Sequence, residues 1–170
     1  MNQYIAAPLE LIDHQNLKSD EKNLLTLKYE MFPDDTVVLC KKKDYLIIST
    51  DYFSKMDNRR YYTQEEFPLK AVPWIVDTIE NGFFKKPEAG GFSDFKRSTT
   101  SEFDKQVIGI NAMVHCCAEN VPGLNIWNGN RKDYISESTP QEWDIPLYML
   151  KDGLLAELKA IAKKYENGTL

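Results

Sequence analysis

The sequence predicts an α+β fold. A mostly antiparallel sheet from two hairpins, about 36–50 and 106–128, packs with about three helices, about 20–32, 69–81 and 152–166. Three observations predict it. Two β-branched, apolar runs, Thr36 to Cys40 and Tyr45 to Thr50, flank a short polar break. Leu154, Leu155, Leu158, Ile161, Ala162 and Tyr165 recur at helical spacing near the C-terminus. Helices bracket strand pairs in the order α, ββ, α, ββ, α, which suits an antiparallel sheet better than a doubly wound parallel one.

Taken in order, residues 3–6 read as a short strand. Ser19-Asp20-Glu21 then reads as a helix start, a hydroxyl cap followed by acids in the first turn. Leu24, Leu27 and Met31 share a helical face, and Pro33 with Asp34 and Asp35 ends it. Both runs of the first hairpin are apolar at successive positions, as expected of strands covered on both faces. Thr63-Gln64-Glu65-Glu66 matches a capping box, with Tyr62 and Phe67 placed to staple it. Pro68 and Pro73 delay the helix, since proline is tolerated only in its first turn. Val72, Ile75, Val76 and Ile79 form its buried stripe, and Gly82 is the expected left-handed stop.

Lys85 to Gly91 carries loop residues, and polar Ser98 to Ser101 continue it, so 84–105 reads as a mobile loop. Gln106 to Cys117 is mostly apolar. Its β-branched residues and Gly109 favour a strand over a buried helix. Val121-Pro122-Gly123 is a turn, Leu124 to Trp127 the return strand, and Asn128-Gly129-Asn130 a further turn. Ser138, Thr139 and Pro140 mark a break, and the last helix runs from a cap at Asp152 to a stop at Gly168. No internal repeat, low-complexity tract or linker divides the chain, so residues 1–170 read as one domain.

The composition is 42% hydrophobic and 28% charged, which places the chain with folded globular proteins and away from disorder. Apolar runs such as Tyr45 to Ile48 are too short to span a bilayer. Met1 to Pro8 lack a basic region followed by an apolar stretch, so no secretory leader is expected. Cys40, Cys116 and Cys117 are odd in number, a poor disulfide framework. A cytoplasmic location follows as the expectation. The sequon Asn167-Gly168-Thr169 carries no weight there. The net charge of −5 argues against general nucleic-acid binding, and it is too dilute to imitate a phosphate track of one charge per roughly 1.7 Å.

His115-Cys116-Cys117 is the triplet that most draws attention for chemistry. On a regular strand His115 and Cys117 share a face with Asn111 and Met113, while Cys116 points the other way. A thiolate nucleophile needs a base beside it, so His115 and Cys117 are the candidate catalytic pair of a small enzyme or ligand-binding pocket. The ordinary alternative is buried cysteine acting as a small apolar side chain. Two histidines and three cysteines without paired spacing make no zinc site, and neither metal nor cofactor is expected. Phosphate-loop, Gly-x-Ser-x-Gly and His-Glu-x-x-His patterns are missing. Pro33-Asp34 ahead of a strand lacks the acid-x-lysine of a nuclease-type metal site, because Leu39-Cys40-Lys41 supplies no acid. Glu88-Ala89-Gly90-Gly91 lacks the strand-to-helix context of a phosphate cradle.

Two segments suit recognition. Residues 41–62 hold Lys41, Lys42, Lys43, Lys55, Arg59 and Arg60 among Tyr45, Tyr52, Phe53, Tyr61 and Tyr62. That composition can stack bases and hold phosphates, or it can fill a core while the cations reach outward. Trp127, Asn128, Asn130 and Arg131 combine an indole, amides and a guanidinium, the groups of a binding surface and equally of a plain turn. The leading expectation is a non-enzymatic protein-interaction module, of inhibitor or immunity type or a phage or mobile-element accessory protein. Its expected partner is another protein or a second copy of itself, paired through an exposed strand edge, with no membrane role. The enzyme or ligand pocket at His115 and Cys117 is the alternative, and nucleic-acid binding through 41–62 the third reading.

Overall fold

Lys43 adopts a positive φ of 52°. This lets a two-residue turn join β2 (Thr36–Lys42) to β3 (Tyr45–Ser54), with Lys42 facing Tyr45 and Thr36 facing Asp51. Leu39, Cys40, Leu46, Ile47 and Ile48 are all buried, so successive residues of both strands enter the core as their sequence predicts. β1 (Glu21–Lys28) and β4 (Arg59–Pro68) complete a first antiparallel sheet in the order β1-β2-β3-β4. The predicted second hairpin is β6 (Gln106–Cys116) with β7 (Val121–Lys132). It lies between β5 (Ser98–Phe103) and β8 (Pro140–Pro146), giving a second sheet in the order β5-β6-β7-β8. With two helical stretches, 69–83 and 147–166, the chain has the predicted α+β class. This computed structural model describes residues 6–117, 119–136 and 139–170. Residues 3–5 of the expected first strand and Ser138 of the expected break lie outside the described residues, while Ala6 forms a parallel bridge with Arg131.

The expected helix at 20–32 is instead strand β1. The acids that resemble a helix start make a turn: Lys18 N donates to Glu21 Oε2 at 2.9 Å and Glu21 N donates to Lys18 O at 3.0 Å. The other Glu21 oxygen accepts from buried Lys42 at 2.7 Å, which ties the strand to β2. An isolated helix of this length is marginal, and an open edge on β2 offers its backbone a full ladder instead. Thr63 to Glu66 likewise cap no helix and lie inside β4, buried.

Each helical stretch follows the last strand of a sheet at a Pro-Leu step. Pro68 and Pro146 have closely similar backbones, φ −53°, ψ 132° and φ −57°, ψ 138°. The first stretch runs through a 3₁₀ turn (Leu69–Ala71), α1 (Val72–Asp77) and a π turn (Thr78–Phe83). The second runs through α2 (Leu147–Met149), a π turn (Leu150–Leu154) and α3 (Leu155–Glu166). Four strands and then a helix therefore occur twice along the chain, an order that so little shared sequence does not reveal. Gly168, at φ 68°, is the predicted left-handed stop. Gly82 is not one: the Phe92 ring lies 2.6 Å from where its Cβ would be, so it makes room for an aromatic side chain. Asp152 makes no capping bond, and Gly153, at φ 134°, kinks the chain into α3.

The chain forms two compact units, Met1–Phe67 with Asn128–Glu142, and Pro68–Trp127 with Trp143–Leu170. In the first, Ile12, Cys40 and Ile47 pack with Leu9 and Tyr45. In the second, α1 packs on α3, whose Leu158, Ile161 and Ala162 are buried. Residues 84–105 are not one loop, because a 3₁₀ turn (Pro87–Ala89) and strand β5 occupy much of them. Alternating exposure lets the polar Ser98 to Ser101 sit in β5, paired to β6.

Candidate functional site

Asn128 to Asn130 form no turn, while Trp127 lies in a strand as expected. These residues and Arg131 all lie within β7. Asn128, Asn130 and Arg131 are buried, and the Trp127 indole covers Gly109 of β6, where any Cβ would collide with it. Arg131 Nη1 donates to Glu66 Oε2 at 2.6 Å and to Ala7 O at 3.1 Å, and its guanidinium lies 4.5 Å from the Tyr45 ring centre. Glu66 Oε1 accepts from Leu9 N (2.7 Å), Gln64 Nε2 (3.2 Å) and the Tyr134 hydroxyl (3.0 Å). Asn128 Nδ2 donates to Glu66 O at 2.8 Å, and Gln141 Oε1 accepts from Glu66 N at 2.8 Å. Burial, and then the Glu66 charge, push the Tyr134 hydroxyl well above the ordinary tyrosine range. These groups spend their hydrogen bonds on one another and on the segment 7–12. Buried polar groups in a satisfied network fix a fold.

His115 and Cys117 do not form the expected pair on one strand face. β6 ends at Cys116, and Cys117 takes φ 55°. That turn brings Cys117 Sγ to 3.3 Å from Cys116 Sγ, and the Cys117 thiol donates to Asp144 O at 3.5 Å. His115 is exposed. The Cys116 contact and then burial push the Cys117 thiol up, the opposite of what activates a nucleophile. No group of three or more His, Cys, Asp or Glu side chains among the described residues is arranged to hold a metal ion.

Residues 41–62 are divided by their own topology. Lys41, Lys42 and Lys43 lie at the β2-β3 turn, at the opposite end of the first sheet from Lys55 and Arg59. Lys42 is buried against Glu21, and Arg60 Nε donates to Asp51 Oδ1 at 2.8 Å with Asp35 at 3.6 Å. The expected basic track is thus broken into separate pieces.

The end of that sheet carrying the β1-β2 and β3-β4 connections has another character. Phe53 N donates to Asp35 Oδ1 at 3.0 Å, and Arg60 Nη2 donates to Asp34 O at 3.0 Å, so the β1-β2 connection is tied to β3 and β4. Lys55 Nζ lies 5.7 Å from the Phe32 ring centre. Met31 is 62% exposed, Phe53 41% and Met56 92%. Beside them Tyr52 and Tyr61 stack with ring centres 5.5 Å apart, and Arg59 covers Tyr61 at 4.3 Å. Methionine, tyrosine, phenylalanine and arginine are the types enriched where proteins meet. The sequence offers little sign of this end, because a methionine in a connection carries the same letter as one in a core.

In comparison with known proteins, no family model, no curated sequence and no solved structure matches this chain.

Proposed function

We propose that this protein is a non-enzymatic interaction module that engages another protein through the end of its first sheet. The observation that carries the reading is the exposure of Met31 and Met56 on the two connections and of Phe53 at the end of β3, with the first connection tied to β3 and β4 through Asp35 and Arg60. Bonds that already fix the backbone beneath them lower the cost of ordering this end on binding, and covering the side chains removes apolar surface from water. The adjoining Tyr52, Tyr61 and Arg59 supply rings and a cation for a polar rim. An inhibitor or immunity-type role fits such a surface, since it needs occlusion of a partner and no chemistry. The raised Cys117 thiol supports the non-enzymatic part of the reading.

The test places a photoreactive methionine analogue throughout the chain and maps cross-links formed in cells. Cross-links to a protein partner at positions 31 and 56, abolished in Phe53→Asp/Arg59→Glu, which keeps both methionines, with an unchanged melting temperature, are expected. Cross-links that survive in that double variant would place the partner elsewhere. Retention of a labelled single-stranded oligonucleotide at low salt, lost on Arg59→Ala, would replace this reading with nucleic-acid binding.

A further inference from the structure

The loop after the first helical stretch folds into a cleft of about 510 Å³ in the second unit. Phe92 N donates to Gly82 O at 2.8 Å, and Gly91 N donates to Lys86 O at 3.0 Å. Gly90 turns at φ 95°, and a Cβ on Gly91 would collide with the Lys85 carbonyl. These glycines let the chain close on itself, and Phe92 meets Phe83 edge to face with ring centres 5.1 Å apart. The cleft has a definite shape set by backbone bonds, and its size is that of a small-molecule site, roughly 300–1,000 Å³.

Its lining sets three rings, Phe83, Phe84 and Phe92, among four cations, Lys85, Lys86, Lys96 and Arg97. Asp94 is its one acid. None of those cations forms an ion pair among the described residues, although the chain as a whole carries −5. Lys96 Nζ is held 3.9 Å from the Phe92 ring centre, and Lys151 Nζ adds a further cation 5.9 Å from that of Phe84. Cations concentrated in a concave site favour a multiply charged anion, and guanidinium geometry suits phosphate. Ring walls add affinity for a planar group.

We propose that this cleft binds a small aromatic organophosphate of the nucleoside phosphate class, its phosphates among Lys85, Lys86, Lys96 and Arg97 and its base against the phenylalanines. The proposal stands on the second unit alone and does not depend on the interaction surface of the first. A free ligand is favoured over a polymer, because the acidic remainder of the chain repels a long polyanion.

Calorimetric titration of the full chain at low salt tests it, with ATP, adenosine, tripolyphosphate and a decathymidylate strand as probes. ATP is expected to bind, more weakly as salt rises, with adenosine and tripolyphosphate each at least tenfold weaker. Lys86→Glu/Arg97→Glu, two exposed positions, is expected to weaken ATP by at least tenfold with an unchanged melting temperature. No ATP binding, or tripolyphosphate equal to ATP, would overturn the proposal. So would a decathymidylate strand that outbinds ATP, or a folded double variant that binds ATP as before.

Discussion

Glu66 and Arg131, 65 positions apart in sequence, meet at 2.6 Å with both side chains almost wholly withdrawn from water. Removing one partner strands the other as an uncompensated buried charge, which costs about 3–5 kcal/mol. Glu66→Gln and Arg131→Met are each expected to lower the denaturant midpoint by that order. The double variant Glu66→Gln/Arg131→Met is expected to lose less than the two single losses added, because neither charge is then left alone. Strict additivity in denaturant unfolding would show that the pair is not coupled.

Tyr134 donates to the same carboxylate, and burial with the Glu66 charge holds its proton. The folded chain therefore keeps this proton to higher pH than the unfolded chain does. Its contribution is complete below the ordinary tyrosine value of about 10 and is lost as pH rises past it, because the unfolded chain ionises first. Burial raises Tyr52 and Tyr62 in the same direction. Stability measured from pH 8 to 11 is expected to fall on the alkaline side, and more gently in Tyr134→Phe. An equal alkaline slope in that variant would remove Tyr134 from the account.

What the sequence made legible was local. The β2-β3 hairpin follows from two apolar runs about the polar break Lys41 to Asp44, and α3 from its stripe of Leu158, Ile161 and Ala162. What it concealed depends on distant partners. Thr63 to Glu66 resemble a helix cap until Gln141, Arg131 and Tyr134 arrive to satisfy them inside a strand. Glu21 resembles a first-turn acid until Lys42 pairs with it. Met31 and Met56 become a surface only when the order of the first sheet places their connections at one end.

Trp127 shows a residue whose partner is a missing side chain. Its indole occupies the space that any Cβ at Gly109 would need. An aromatic side chain laid across a strand glycine restores packing that the glycine lacks. Gly109→Ala is expected to destabilise by about 1–3 kcal/mol, as overpacking does, and to shift tryptophan emission to the red. Gly109→Ala/Trp127→Leu is expected to recover part of that loss. Wild-type stability and emission in Gly109→Ala would show that the indole does not rest there.

Cys117 decides whether the second sheet harbours a reactive centre. A nucleophilic cysteine is partly exposed, faces positive charge and gives up its proton near neutral pH. Cys117 instead sits 3.3 Å from Cys116 Sγ, donates to the Asp144 carbonyl and holds its proton more tightly than a free thiol. Cys116 and Cys40 are fully buried, and burial raises Cys40 as well. At pH 8 all three thiols are expected to react with iodoacetamide at least tenfold more slowly than free cysteine, and to react fully once the chain is denatured. Site-resolved mass spectrometry reads each rate separately. Rapid labelling of Cys117 in the native protein, slowed by His115→Ala, would restore the thiol-histidine pair that the turn at Cys117 separates.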